Sequence, residues 1–157
     1  MIKFEAVTEN TSALADAARQ LFREYASESE VRQALHGFDD ELVSLPGEYA
    51  SPRGGLILLT FRGDAVACGA FRRVEDGVCE LKRTYVLPDL RGMGFGRMIT
   101  EELLRRASAS GYKRARLDIL SSISSASELY RSMGFGETSR ETHADGTTLV
   151  YMDREVW

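Results

Sequence analysis

The chain has 157 residues, 43% hydrophobic and 28% charged, which fits one domain with its own core and excludes a disordered chain. No apolar run approaches the roughly 20 residues that a membrane helix needs, and Met1-Ile2-Lys3-Phe4-Glu5 has no signal-peptide pattern, so no membrane association and a cytoplasmic location are expected. The net charge of −4 argues against a dedicated nucleic-acid binder, and two cysteines with two histidines, none at metal-knuckle spacing, leave no metal site in prospect.

Residues 2–7 alternate apolar and polar, as a strand does. Ser12 or Thr11 can cap a helix over 12–25 with Leu14, Ala18, Leu21, Phe22 and Tyr25 on one face. A less regular helical stretch covers 29–45 and stops at Pro46-Gly47. Strands follow at 56–61, 65–73 and 78–87, joined by the turns Arg62-Gly63-Asp64 and Glu75-Asp76-Gly77. A glycine-rich loop over 91–96 leads into a helix with Ile99, Leu103, Leu104 and Ala107 on one face, ending near Gly111. A buried strand at 115–120, a helix at 124–133 and two strands at 136–142 and 148–156 complete the chain. One α/β domain over 1–157 is expected, with a mostly antiparallel sheet and one parallel crossover.

The strongest chemical signal is Val86-Leu87-Pro88-Asp89-Leu90-Arg91-Gly92-Met93-Gly94-Phe95-Gly96-Arg97. A strand ends, glycines recur at every second position, and a helix begins. Unpaired N–H groups at a helix N-terminus bind anions, and Arg91 and Arg97 add charge for phosphate oxygens. The spacing is neither the dinucleotide G-x-G-x-x-G nor the Walker pattern.

Arg91-x-x-Gly94-x-Gly96 resembles the R/Q-x-x-G-x-G/A pyrophosphate loop of the GNAT superfamily of N-acetyltransferases. Residues 80–86 look like that family's central strand, and Leu129-Tyr130-Arg131-Ser132-Met133-Gly134-Phe135 looks like its late-helix pattern L-Y-x-x-x-G-F. The stretches 38–42 and 45–49 are similar to a branch of small, bacterial-type GNAT proteins. The resemblance departs at Ile123, where many members carry an asparagine that helps hold the pantetheine arm; Ser121, Ser122 or Ser124 are the candidate substitutes.

The resemblance implies a GNAT-like mixed sheet flanked by helices, acetyl-CoA as cosubstrate and an amine acceptor. It implies cofactor contacts at Tyr85, Val86, Leu87, Arg91, Gly92, Met93, Gly94, Phe95, Gly96 and Arg97. A backbone N–H at the end of the central strand would serve as oxyanion donor. Tyr130 is the candidate general acid for the leaving thiolate. Glu80 is the candidate general base; alternation puts Lys82 and Thr84 on its face, and Tyr85 and Asp118 are weaker alternatives. His36 and His143 fall in no motif, and Cys79 has no partner that would make it a nucleophile.

Residues 24–48 carry seven acids against Arg32 alone, an acidic rim that would steer a cationic small amine or peptide acceptor. A protein or peptide acetyltransferase and a non-catalytic acyl-CoA-binding module are the alternatives. A homodimer is compatible with the resemblance, and nothing in the sequence fixes the oligomeric state.

Overall fold

Seven segments, six of them of alternating or continuous apolar character, pair into one sheet in the computed structural model, which describes residues 1–28, Leu35 and 37–156. Strand β1 is Ile2–Ala6. Helix α1, Ala13–Ser27, starts where the Ser12 hydroxyl accepts the Ala15 N–H at 3.0 Å. Helix α2 is Phe38–Ser44. It stops before Pro46, which holds the preceding Leu45 in an extended conformation. The helical stretch expected over 29–45 is thus seen as this shorter helix, and residues 29–34 and His36 lie outside the described residues.

Strands β2 (Gly55–Phe61), β3 (Asp64–Glu75) and β4 (Val78–Val86) form an antiparallel meander. A short 3-10 turn, Pro88–Leu90, leads to helix α3, Phe95–Ala109. Strand β5 (Arg114–Leu120), helix α4 (Ser124–Ser132), and strands β6 (Gly136–Thr142) and β7 (Thr148–Glu155) follow. The sheet order is β1-β2-β3-β4-β5-β7-β6, and only β4 and β5 pair in parallel. This is the mixed sheet with one parallel crossover that the element order predicts.

Each face of the sheet carries its own core. On one, Phe95, Ile99 and Leu103 of α3 and Tyr130 of α4 pack against Ile57, Phe71, Leu81 and Leu117. On the other, Leu21 and Phe22 of α1 and Leu42 of α2 pack against Leu56, Leu58, Cys68 and Tyr85. Fully buried side chains of the size of Phe22 and Phe71 contribute roughly 1.5–3 kcal/mol each.

A bulge in β4 decides what faces the site. Cys68 pairs with Tyr85 but Ala70 pairs with Lys82, so Arg83 and Thr84 together oppose Gly69. Arg83 takes a left-handed φ of 61°. Before the bulge, Cys79 and Leu81 lie in the α3-side core; after it, Tyr85 lies in the α1-side core and Val86 packs on the α3 side. The sequence expectation that Glu80, Lys82 and Thr84 share one face is therefore corrected. The extra residue reverses the alternation and turns Thr84 to the α3 side, beside the Tyr130 hydroxyl.

Candidate active site

Strands β4 and β5 pair only at Val78–Arg114, Cys79–Ala115 and Glu80–Arg116. Beyond Glu80 they part, and a cleft of ≈ 590 Å³ opens between residues 81–86 of β4 and 117–120 of β5. Nothing in either strand's apolar run announces this parting. Past Glu80, β4 carries its bulge against β3, while β5 stays paired with β7 as far as Leu120.

One end of the cleft is the glycine loop. Gly94 precedes α3 with a φ of 87°, a left-handed conformation that side chains strongly disfavour. No side chain caps the helix, so its first N–H groups are left for a ligand. Gly96, already helical, packs closely on α4: a Cβ there would stand 3.4 Å from Leu129, in contact, and a larger side chain would collide. Arg91 lies over the Tyr85 ring at 5.4 Å, donates to the Val86 carbonyl at 3.0 Å and pairs with Glu28 at 2.7 Å. Arg97 donates to the Ser132 hydroxyl.

The middle of the cleft is apolar, with Val86, Ile123, Ala126 and Leu129 on its walls. The Leu87 N–H donates to the Val66 carbonyl at 3.0 Å. Strand backbone groups alternate between edges, so the Val86 N–H faces the open side of β4. Tyr130 is buried and lines the cleft, its ring edge-on to Phe135 and its hydroxyl beside those of Thr84 and Thr100. Burial pushes its phenol above the usual range and keeps it protonated at neutral pH.

The structure thus gathers Tyr85, Val86, Arg91, Gly92, Gly94, Phe95, Gly96, Arg97 and Tyr130 around one cleft. Three of the expected site residues stand outside its lining. Leu87 packs into the core with its N–H used, and Met93 points to solvent. Glu80 sits just below the point of parting, 3.4 Å from Lys82 and 3.5 Å from Arg72. Of the serines considered in place of the missing asparagine, none lines the cleft, whereas Ser125 does.

Lys82, Asp118 and Ile123 line the cleft as well. Burial raises the Asp118 carboxyl above its ordinary value, with Lys82 opposing and Glu80 reinforcing the shift. Cys79 is buried and its thiol is pushed up to about 12, which makes it inert. His143 is exposed at the β6–β7 turn, 3.7 Å from Glu141.

Three of the seven acids over 24–48 are ion-paired, and Glu24, Asp39 and Asp40 join no ion pair among the described residues. Glu41 pairs with Arg83, Glu48 with Arg72 and Glu28 with Arg91. Glu30 and Arg32 lie outside the described residues.

The cleft thus has a helix N-terminus at one end, a parted strand pair along its length and a buried phenol in its wall. The model of the acetyltransferase (GNAT) domain matches residues 22–156. An uncharacterised N-acetyltransferase of Schizosaccharomyces pombe is 33% identical over 145 residues, covering 90% of this chain and 88% of that one. One from Escherichia coli is 26% identical over 130 residues, with 81% and 77% covered. A GNAT acetyltransferase of Staphylococcus aureus superposes with a TM-score of 0.82 at 13% identity over 100% of both chains. An acetyltransferase of Streptococcus agalactiae does so at 0.80, with 18% identity and 98% of each chain covered. The chain belongs to the GNAT family and is an acetyltransferase. No described helix is long and apolar enough to cross a membrane.

Proposed function

We propose that the protein transfers an acetyl group from acetyl-CoA to the primary amine of a small molecule or peptide by direct attack on the thioester. The observation that carries this reading is the parting of β4 and β5 after Glu80, with the glycine loop at one end of the opening. The N–H groups at the start of α3, with Arg91 and Arg97, hold the pyrophosphate. Val86, Ile123 and Leu129 flank the pantetheine arm, and Ser125 offers the polar contact that Ile123 lacks.

The Val86 N–H points where charge develops on the thioester oxygen; a donor so placed contributes roughly 3–4 kcal/mol to such reactions. The amine nitrogen forms its bond to the acetyl carbon as the carbon–sulfur bond breaks. Tyr130 gives the sulfur its proton. Burial raises the pKa of the phenol, and it raises that of a thiolate in the same site, so the transfer stays close to balanced. Glu80 would serve as base only through a water, because its carboxylate lies outside the cleft lining between Arg72 and Lys82.

The test is a thiol-release assay with acetyl-CoA and a panel of amines, beside calorimetric titration of coenzyme A. Release on one amine class supports the reading. Coenzyme A binding without release on any amine would favour an acyl-CoA-sensing module, and no binding would remove the reading altogether.

A further inference from the structure

The cleft floor at the point of parting carries one cation and one carboxylate. Lys82 and Asp118 lie two residues beyond the last ladder pair, Glu80–Arg116. In a parallel pair, equal steps along both strands reach equal heights on one face. That face is opposite the one holding Cys79, Leu81, Ala115 and Leu117, so both side chains look toward α1, the acceptor side.

Three arginines near the cleft are paired with acids, while Arg97, at its glycine-loop end, donates to the Ser132 hydroxyl. Arg83 is held by Glu41, and Arg91 by Glu28. Arg72 contacts Glu48 and Glu80. Tyr151, cross-strand from Asp118, donates its hydroxyl to Glu141 at 3.1 Å. Asp118 belongs to no ion pair among the described residues. Lys82 pairs at 3.4 Å with Glu80 alone, and an ammonium has donors to spare. The two groups feel each other's charge but stand beyond ion-pair distance, which leaves a gap bounded by opposite signs.

From this juxtaposition we propose that the acceptor is a zwitterionic amine of amino-acid type, with its ammonium on Asp118 and its carboxylate on Lys82. The inference rests on the acetyl-transfer reading above and narrows the acceptor class of that same cleft. It is more specific than the acidic-rim expectation, of whose acids Glu28, Glu41 and Glu48 are each paired with an arginine while Glu24, Asp39 and Asp40 join no ion pair among the described residues. Asp118 takes the first proton from the ammonium and passes it to solvent. The freed lone pair forms the N–C bond and the C–S bond breaks. Tyr130 gives one proton to sulfur, and the second proton shed by nitrogen restores the phenol through solvent, so that ammonium and thioester become amide, thiol and one released proton. The raised carboxyl of Asp118 suits it to this exchange better than an ordinary aspartate.

The experiment measures kcat/KM by thiol release for the L-amino acids, for their amides, which keep the amine but lose the carboxylate, and for spermidine. The expected result is an acid favoured at least 10-fold over its amide. Lys82→Met should bring that ratio near one, chiefly through KM. Asp118→Asn should lower kcat at least 100-fold with coenzyme A affinity unchanged. Equal use of acids and amides, a preference for spermidine, or a ratio unmoved by Lys82→Met would overturn the proposal while leaving acetyl transfer intact. Full activity of Asp118→Asn would overturn the role of that carboxylate. Failure of coenzyme A to bind would instead remove the underlying reading, and this inference with it.

Discussion

Arg83 donates from Nε and Nη2 to the two carboxylate oxygens of Glu41, each at 2.8 Å, across 42 residues of sequence. The guanidinium is buried, lies over the Tyr25 and Phe38 rings at 5.9 and 5.7 Å, and belongs to a residue with a left-handed backbone. A non-glycine residue in that conformation costs about 1–3 kcal/mol and persists only where its surroundings fix it. Here they fix the bulge that turns Tyr85 to the acceptor side, the side Lys82 already faces. Glu41→Ala strands a buried cation, so it should cost about 3–5 kcal/mol, or roughly 6–20 °C in Tm. The double change Glu41→Met with Arg83→Met should cost much less. Urea and thermal denaturation of the three proteins would check this.

Tyr130→Phe keeps the ring packed edge-on to Phe135 but removes the hydroxyl beside Thr84 and Thr100. Loss of a general acid lowers kcat by about 10²–10⁴. The KM for acetyl-CoA should stay within about twofold, because the hydroxyl serves the leaving group and the remaining binding contacts persist. Steady-state kinetics with the best amine of the panel measure both, and an unchanged kcat would remove Tyr130 from the reaction.

Gly94 and Gly96 fail for different reasons when substituted. Gly94→Ala forces a side chain into a φ of 87°, worth about 1–2 kcal/mol of strain at the mouth of the anion site. Gly96→Val wedges a branched side chain against Leu129 of α4 and should cost about 1–3 kcal/mol by overpacking. Calorimetry should show weaker coenzyme A binding for both. Gly96→Val should also shift Tm by several degrees.

Glu28 and a bound phosphate would compete for Arg91, which the carboxylate holds at 2.7 Å with both partners partly exposed. A pair of that kind contributes about 0–1 kcal/mol. Glu28→Ala should therefore tighten coenzyme A binding by up to about fivefold at low salt. The gain should shrink as added salt screens the pair.

Asp118 makes a prediction about pH. Burial raises its folded-state pKa above the unfolded value, so the folded protein binds the proton more tightly. Its contribution to stability is intact below the unfolded pKa, about 3.9, and is lost as pH rises through the folded one. Asp118→Asn should then raise Tm at pH 7 and change it little at pH 3. The same substitution that removes turnover should stabilise the fold, and thermal melts across this range would show whether the sign is right.

The glycine loop was readable because its requirements are local. A left-handed residue before a helix needs glycine at position 94, and the unpaired N–H groups that follow are set by backbone geometry alone. Tyr130 was readable because its pattern on one helix fixes its place relative to Phe135. The helices at 13–27, 95–109 and 124–132 and the strands other than the all-polar 136–142 follow from periodicity in the same way. Glu80 and Asp118 both sit on alternating strands and either could line a cleft by its pattern, and only the parting of β4 and β5 puts Asp118 in the lining and leaves Glu80 outside it.

What the sequence determined by itself was therefore local: the glycine turn with its unpaired N–H groups, the order of strands and helices, and the family pattern that links Arg91, Gly94, Gly96 and Tyr130. Only the tertiary structure decided which charges remain available at the acceptor end. Glu41 and Arg83 lie 42 residues apart, Glu28 and Arg91 63 apart. Whether an acid steers a substrate or is neutralised by an arginine depends on pairings made across the sheet, which no local periodicity encodes. The bulge at Arg83 has the same character. One residue inserted opposite Gly69 reverses every later side chain of β4, because the strand repeat is two residues.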